Sequence, residues 1–266
     1  MSTSRFSLDP SLFNRTLYNR VTDLWFTGID KTGQTLDMSV AKRWFVPTPE
    51  ERDALDAQFR TEFSRALEAI GPEKLPGANA QPLLDELQRV AEKDAQGNTE
   101  EVAWTALSLV LLLDQMPRNI YRTEEGLRRV YTHYDPMAYS LVRSLLSPSS
   151  ALPRPDSHPA FRLSSALRAW FYMPLMHSED LAAHDLFDDV VGEFAQELNV
   201  LEGYQGSKIF LDKEMESGKE HRDILERFGR YPHRNKALGR ESTREEEMFM
   251  EGGGATFGVG QGDDGV

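Results

Sequence analysis

Three short segments of the sequence combine histidine, arginine and carboxylate side chains that could bind an anion and move a proton. The first segment reads LLLDQMPRNIYR over residues 111–122, and its polar residues follow directly on an apolar run. Polar side chains beside a buried run need partners or line a pocket. The alternative is that the arginines satisfy free carbonyl groups at a helix C-terminus. The candidate residues here are Asp114, Gln115, Arg118, Asn119 and Arg122.

The second segment, MPLMHSED over residues 173–180, contains His177 and Glu179 just before a predicted helix. Ser178 is predicted to cap that helix, and the positive end of a helix lowers the pKa of a nearby imidazole. A neutral His177 is suited to be a general base or a metal ligand, with Glu179 or Asp114 orienting its ring. A packed, hydrogen-bonded histidine without a chemical role is the alternative.

The third segment, RFGRYPHRNKALGRES over residues 227–242, is dense in basic residues although the whole chain carries a net charge of −13. Between Arg222 and Arg240 there are six basic and two acidic side chains, a local balance of +4. The guanidinium group of arginine binds a carboxylate or a phosphate through two parallel hydrogen bonds. Pairing with the protein's own carboxylates is the alternative, because acidic residues are abundant. The candidate residues here are Arg227, Arg230, His233, Arg234 and Asn235.

A metal site would need several histidine and carboxylate residues to meet in the fold. His177, Glu179, His221 and His233 are the residues that could do so, but their spacing matches no metal-binding motif such as HExxH. No metal site is therefore predicted. The sequence identifies no cofactor, since neither a Walker loop nor a dinucleotide-binding fingerprint occurs in it.

The composition is that of a globular protein of one large or two small domains, with 39% hydrophobic and 27% charged residues among 266. The longest apolar run, residues 106–113, is too short to cross a bilayer. No cysteine is present, which excludes disulfides and thiolate metal sites. The acidic balance argues against nucleic acid and anionic membrane as partners, and the predicted location is cytoplasmic.

Apolar residues recur at helical spacing along most of the chain. No segment shows the alternation of apolar and polar residues, bounded by turn residues, that is typical of strands joined in hairpins. The pattern predicts an all-α fold, either an orthogonal helical bundle or TPR-like stacked helical hairpins. The most buried helix is predicted over residues 102–115 and is expected to end at Pro117. Another helix is predicted over residues 160–171, ending before Pro174.

Capping signals mark several helix starts. The pattern of a capping box occurs twice, at Thr48 with Glu51 and at Ser242 with Glu245. In a capping box the side chain of each of the two residues accepts a hydrogen bond from the backbone N–H of the other. Asn98 is expected to cap the most buried helix, because asparagine is a favoured residue at that position.

Helical patterns run through residues 17–251, which are predicted to form a single all-α domain. Residues 1–16 are expected to be an N-terminal extension. Residues 252–266 are expected to be a flexible tail, because glycine and aspartate dominate them. Residues 148–159 form a loop rich in proline and serine.

The three segments also resemble the signature blocks of domain-of-unknown-function family 924. The upstream LWF of residues 24–26 and RWF of residues 43–45 are similar to that family's N-terminal pattern, so the resemblance spans residues 17–250. It implies an all-α fold similar to tetratricopeptide-type helical folds. It marks the candidate residues of the three segments without assigning an activity to them.

The sequence leaves three interpretations open. The first is a cytosolic enzyme or metabolite-binding protein whose three segments form one pocket for an anionic small molecule, a carboxylate or a phosphate. His177 or His233 would then move a proton, and Glu179 or Asp114 would orient the histidine. The second is a non-catalytic TPR-like scaffold whose basic loop binds an acidic peptide or a C-terminal carboxylate. The third is that these side chains only tie helices together.

Overall fold

Helices make up most of the structure, a computed structural model that describes residues 6–93 and 99–257. No β-strand occurs in these ranges, so the predicted all-α fold is confirmed. The helices are α1 (Arg15–Trp25), α2 (Met38–Ala41), α3 (Pro49–Ala69), α4 (Gln81–Lys93), α5 (Glu100–Ile120), α6 (Glu124–Arg129), α7 (Asp135–Leu146), α8 (Ser165–Met176), α9 (Leu181–Asn199), α10 (Gln205–Phe228), α11 (Asn235–Leu238) and α12 (Arg244–Glu251).

Some helix boundaries follow the sequence signals closely. α3 begins with the predicted capping box, since the Thr48 hydroxyl accepts from the N–H of Glu51 and the Glu51 carboxylate accepts from the N–H of Thr48. α10 is capped at its C-terminus by Gly229, whose positive φ of 69° is a conformation that glycine adopts without steric cost. Local backbone chemistry therefore fixes these two ends.

The two helix ends predicted from proline are wrong. α5 continues through Pro117 to Ile120, and α8 begins only at Ser165 and continues through Pro174 to Met176. Proline removes one backbone hydrogen bond and crowds the preceding turn. Each proline lies in the last turn of its helix and is buried, so core packing offsets the one missing hydrogen bond.

Two predicted caps are displaced along the chain. Asp180, not Ser178, caps α9, because the Ser178 hydroxyl instead accepts from the N–H of Asp180. Thr243, not Ser242, opens the capping box of α12, one residue later than predicted. Asn98 lies outside the described residues.

The ends of the described chain pack on the helical body. Phe13, in the predicted N-terminal extension, is 1% exposed and belongs to the main core. Phe257, in the predicted tail, stacks on His221 with the ring centroids 3.5 Å apart. The predicted extension and tail also include residues 1–5 and 258–266, which lie outside the described ranges.

α5 lies at the centre of the fold and packs against α1, α3, α4, α7 and α8. Its sequence explains this place, because residues 105–114 are buried on every face of the helix. α8 extends the core by packing against α7, α9 and α10. Each unit of a regular solenoid contacts only its neighbours, so this packing favours a bundle, and TPR-like stacking stays a prediction. No helix in the described ranges is long and apolar enough to span a bilayer.

A π-helical turn, Val130–Tyr134, joins α6 to α7, so that the three form one continuous helical segment. His133 donates from Nε2 to the carbonyl oxygen of Ile70 at 2.7 Å. The Tyr134 hydroxyl donates to the carbonyl oxygen of Leu67 at 3.0 Å. Both acceptors lie at the C-terminal end of α3, so the turn fixes the first residue of α7 relative to that helix.

The start of α10 lies directly against the loop that precedes α2. The N–H of Gly206 donates to Gln34 at 3.2 Å, and the N–H of Ser207 donates to Gly33 at 3.0 Å, in both cases to the carbonyl oxygen. The Ser207 hydroxyl also donates to the carbonyl oxygen of Leu163 at 2.7 Å. This junction leaves no room for a side chain at position 206.

Replacing Gly206 by alanine is expected to destabilise the protein by about 1–3 kcal/mol, the usual cost of overpacking. The new Cβ atom would lie 2.3 Å from the backbone carbonyl group of Thr35. Urea unfolding of Gly206→Ala measures the change. Gly192→Ala in α9 is the matched control, because its Cβ would meet no atom within 4 Å and alanine favours a helix. Equal effects of the two substitutions would contradict the close contact.

Candidate functional site

A cavity of about 630 Å³ lies between the segment of residues 36–55, the C-terminal parts of α5 and α8, and α10. Its size suits a small organic molecule. Its wall is aromatic in one part and polar in another. The aromatic residues are Trp44, Phe45, Trp170, Phe210 and Phe257, and the polar ones are Arg43, Arg52, Gln115, Arg118, Asn119, Arg122, His177, Lys213, Glu214, Ser217 and His221.

His177 lies at the C-terminal cap of α8 and forms a hydrogen-bonded pair with Asp114 of α5. Its Nδ1 atom is 2.7 Å from Oδ1 of Asp114, and its side chain is 14% exposed at the cavity wall. Its Nε2 atom has no hydrogen-bond partner within residues 6–93 and 99–257. Because the buried aspartate holds Nδ1–H, a neutral ring has Nε2 as its proton acceptor.

The environment keeps this pair as a neutral imidazole beside a carboxylate. Burial lowers the pKa of His177, and the Arg118 guanidinium lowers it further against the attraction of Asp114. Burial acts to raise the pKa of Asp114, but His177, Arg118 and a hydrogen bond from Gln115 outweigh it, and the net pKa is lowered. The predicted direction for His177 is confirmed, although burial and Arg118 cause it rather than a helix end.

Two arginines and two aspartates form a buried cluster behind the pair. Nη2 of Arg118 is 2.7 Å from Oδ1 of Asp135 and 3.6 Å from Oδ1 of Asp114. Nη1 of Arg234 lies 3.6 Å from Oδ2 of Asp135. The two positive and two negative charges balance, so this cluster holds Asp114 in place without adding net charge to the cavity.

Arg43 is the cavity cation without a carboxylate partner among the described residues. Its guanidinium donates to the main-chain carbonyl groups of Leu24 and Trp25. It is half-buried, and burial lowers its pKa. The cavity cations Arg52, Arg118, Arg122 and Lys213 pair with Asp53, Asp135, Asp56 and Glu216 respectively. Arg43 therefore supplies the positive charge that an anionic ligand could neutralise.

α10 turns Glu214, Ser217 and His221 toward the cavity from one face. Glu214 is 3% exposed, and neither of its carboxyl oxygens has a hydrogen-bond partner in the described part of the chain. Burial raises the pKa of Glu214 to about 8, against a lowering by Arg168. Burial likewise lowers the pKa of His221 to about 3. Both side chains are therefore mainly uncharged at neutral pH.

The arginines of the third segment lie outside the cavity wall and pair with internal carboxylates. Nη2 of Arg227 is 2.9 Å from a carboxylate oxygen of Glu245, and Nε of Arg230 is 2.6 Å from one of Glu246. The expectation that all three segments line one pocket is therefore met only for the first two. The other candidates in the third segment, His233, Arg234 and Asn235, are buried and do not line the cavity.

Residues of the third segment instead hold the second segment in place through hydrogen bonds. Glu179 accepts hydrogen bonds from Arg240 at 2.7 Å and from the N–H of Tyr231 at 2.9 Å. The Tyr231 hydroxyl donates to the carbonyl oxygen of Met176 at 2.6 Å. Since Met176 directly precedes His177, these contacts fix the backbone that carries the ring. Glu179 positions this backbone, and Asp114 is the residue that orients the imidazole.

The metal-site residues considered from the sequence do not assemble. Within the described residues, no group of three or more histidine, cysteine, aspartate or glutamate side chains could hold a metal ion. Nδ1 of His177 is engaged by Asp114, and the Glu179 carboxylate is engaged by Arg240.

Sequence reasoning missed several residues of the cavity wall. The RWF motif contains Arg43, Trp44 and Phe45, and it is a signal for that part of the site. Glu214 and His221 are seven residues apart, which places them on one helix face, but nothing in the sequence indicates that this face borders a cavity.

Comparisons with known proteins agree with the resemblance found in the sequence. A family model described as "Bacterial protein of unknown function (DUF924)" matches residues 21–254. The solved structure of a protein of unknown function from Agrobacterium tumefaciens is similar, with a TM-score of 0.55 and 27% sequence identity over 92% of this chain and 99% of that one. No curated protein matches. The comparisons thus support the fold and the family and do not identify a ligand.

Glu214 is expected to make the protein less stable as the pH rises from 4.5 to about 8. Within this window the folded state keeps the carboxyl proton while the unfolded state loses it, so the free energy of unfolding falls with pH. Glu214→Gln removes the titration, and its stability relative to the wild type should increase by a few kcal/mol across the window. Urea unfolding at several pH values measures this.

The matched control is Glu216→Gln, because Glu216 is an exposed carboxylate on the same helix, paired with Lys213. Its unfolding free energy should run parallel to that of the wild type across the same pH range. A Glu214→Gln curve that also runs parallel would show that the carboxyl group is not held in a buried, unpaired state.

Proposed function

The chain belongs to the DUF924 family, and we propose that it binds an anionic small molecule in the cavity and exchanges a proton with it through His177. The observation that carries this proposal is the His177–Asp114 pair at the cavity wall. Nδ1 is 2.7 Å from the carboxylate, and Nε2 has no partner in the part of the chain that the structure describes. A base oriented by a second group is the usual arrangement for general acid–base catalysis.

The protonation states suit His177 to the role of base. Its lowered pKa keeps Nε2 unprotonated at neutral pH. Asp114 fixes the tautomer and stabilises the positive charge that forms on the ring when Nε2 takes a proton. The charge cluster with Arg118 prevents Asp114 from leaving this position, because that cluster is buried.

The anion-binding side of the proposal rests on Arg43. It is half-buried, borders the cavity and donates only to main-chain carbonyl groups in the described structure, so its charge is available to a ligand. The guanidinium group of arginine can bind either a carboxylate or a phosphate through two hydrogen bonds. Gln115 and Asn119 lie on the same wall and offer amide groups for the rest of a polar ligand. The aromatic wall favours a ligand with an apolar body.

The two alternatives account for less of this geometry. A peptide clamp formed by the basic loop has little support, because Arg227, Arg230 and Arg240 of that loop pair with internal carboxylates. A purely structural role explains the cluster around Arg118. It leaves unexplained the cavity, the unpartnered Nε2 of His177 and the charge of Arg43.

Arg43→Gln is expected to remove most of the thermal stabilisation that organic anions give the wild-type protein. The probes are 3-phenylpropionate and phenyl phosphate, which test the two anionic groups on one apolar body. At 100 times its dissociation constant a ligand contributes about 2.7 kcal/mol, a rise in Tm of about 5–10 °C for a chain of this size. Differential scanning calorimetry of each variant with and without probe measures the rise.

Arg227→Gln is the matched control, since Arg227 pairs with Glu245 outside the cavity and its loss should leave the rise unchanged. Arg43→Lys covers the case in which glutamine disturbs the fold, because lysine keeps the charge and should retain part of the rise. The proposal fails if neither probe stabilises the wild type, or if the rise is the same in wild type and Arg43→Gln.

NMR of the ligand-free protein is expected to find His177 as a neutral ring at pH 7, with its proton on Nδ1 and a pKa below 6.5. Burial disfavours the imidazolium ion and Asp114 accepts the Nδ1 proton. The ¹⁵N chemical shifts of the ring distinguish the two tautomers and follow the titration. A proton on Nε2 at pH 7, on a neutral ring or on an imidazolium ion, would remove His177 as the base.

A further inference from the structure

Glu214 is a buried acidic side chain that the other described residues leave unsatisfied. It borders the cavity, is 3% exposed, and neither Oε1 nor Oε2 has a hydrogen-bond partner among the described residues. Leaving a buried polar group without a partner costs free energy, and nearly all such groups in folded proteins are paired. This carboxyl group therefore has room for a partner that the described residues do not supply.

The neighbouring charges do not fill this role. Arg168 of α8 is the cation that acts on the Glu214 carboxyl. Its own N–H groups are donated elsewhere, to the Tyr172 hydroxyl at 2.9 Å and to the carbonyl oxygen of Arg162 at 3.0 Å. Lys213, the adjacent residue in sequence, is exposed and pairs with Glu216. The carboxyl therefore has no hydrogen-bonded cation among the described residues.

Aromatic rings line the same cavity as Glu214. Phe210 precedes Glu214 by one turn of α10, so the two side chains share a face. The Phe210 ring centroid is 6.2 Å from that of Trp44 and 6.1 Å from that of Phe45, and Trp44 is 5.0 Å from Trp170. Aromatic faces attract cations, and a carboxylate beside them is the arrangement that recognises an ammonium group.

We propose that the ligand is zwitterionic, and that Glu214 binds its ammonium group against the aromatic wall while Arg43 binds its acid group. The class of molecule is a short peptide with apolar side chains, whose ammonium and acid groups lie on different residues. This inference rests on the proposed function, because it assigns the other end of the same ligand. The bound ammonium stabilises the ionised carboxylate that burial alone disfavours.

The test compares amines with matched acids that lack the amino group. The probe pairs are phenylalanyl-phenylalanine with 3-phenylpropionyl-phenylalanine, and leucyl-leucine with 4-methylpentanoyl-leucine. In the wild type the amino member of at least one pair should bind about 30-fold or more tightly than its partner, as expected for a buried charge pair. Isothermal titration calorimetry measures both affinities.

Glu214→Gln should abolish this difference and leave the affinity for the acid without the amino group within about threefold of the wild type. Glutamine keeps the size and the hydrogen-bonding capacity of the side chain but removes its negative charge. Glu216→Gln, an exposed position on the same helix, should keep the full difference.

Three outcomes separate this inference from the proposed function. If the acids bind through Arg43 and no amino group improves the affinity, the inference is overturned and the proposed function stands. If Glu214→Gln keeps the gain, Glu214 is not the ammonium site and the inference is overturned. If no acid binds, the proposed function fails and the inference falls with it. The wild-type comparison uses no variant, so a variant that does not fold leaves the inference testable.

Discussion

The buried cluster of Asp114, Arg118, Asp135 and Arg234 is the constraint on which the arrangement of the site depends. It ties α5 to α7 and, far along the chain, to the segment before α11. Breaking such a cluster by removing one partner costs about 3–5 kcal/mol, because the remaining charge stays buried without compensation. One of its members, Asp114, also holds the imidazole of His177. The position of the base is thus set by the same contacts that assemble the helices.

The helices themselves were largely predictable, because amphipathic spacing and capping are local properties of the chain. Thr48 marks the start of α3 in sequence and in structure. The errors arose where tertiary packing overrides a local preference. Pro117 and Pro174 disfavour a helix locally, yet both are buried within one, where contacts with the core outweigh a single missing hydrogen bond.

The site was predictable in part for a related reason. In residues 111–122 the polar side chains follow directly on apolar ones, so the sequence of this segment alone indicates that it lies next to a pocket. Which arginine meets which carboxylate depends on the fold, and Arg230 proved to be bound to Glu246 rather than to face a ligand. Glu214 sits in an ordinary amphipathic helix, and only its missing partners distinguish it.

The π-helical turn before α7 has a consequence for how the family can change during evolution. A π turn closes hydrogen bonds from residue i to i+5, one residue more than the α-helical turns of α6 and α7, so Val130–Tyr134 holds one residue that a regular α-helix would lack. Deleting one residue there would let the turn become α-helical and would keep the carboxylate of Asp135 facing Arg118. The loss would fall instead on the hydrogen bonds of His133 and Tyr134 to the end of α3. Evolution can therefore shorten this connection by one residue without rotating α7, at the expense of a tie between α7 and α3.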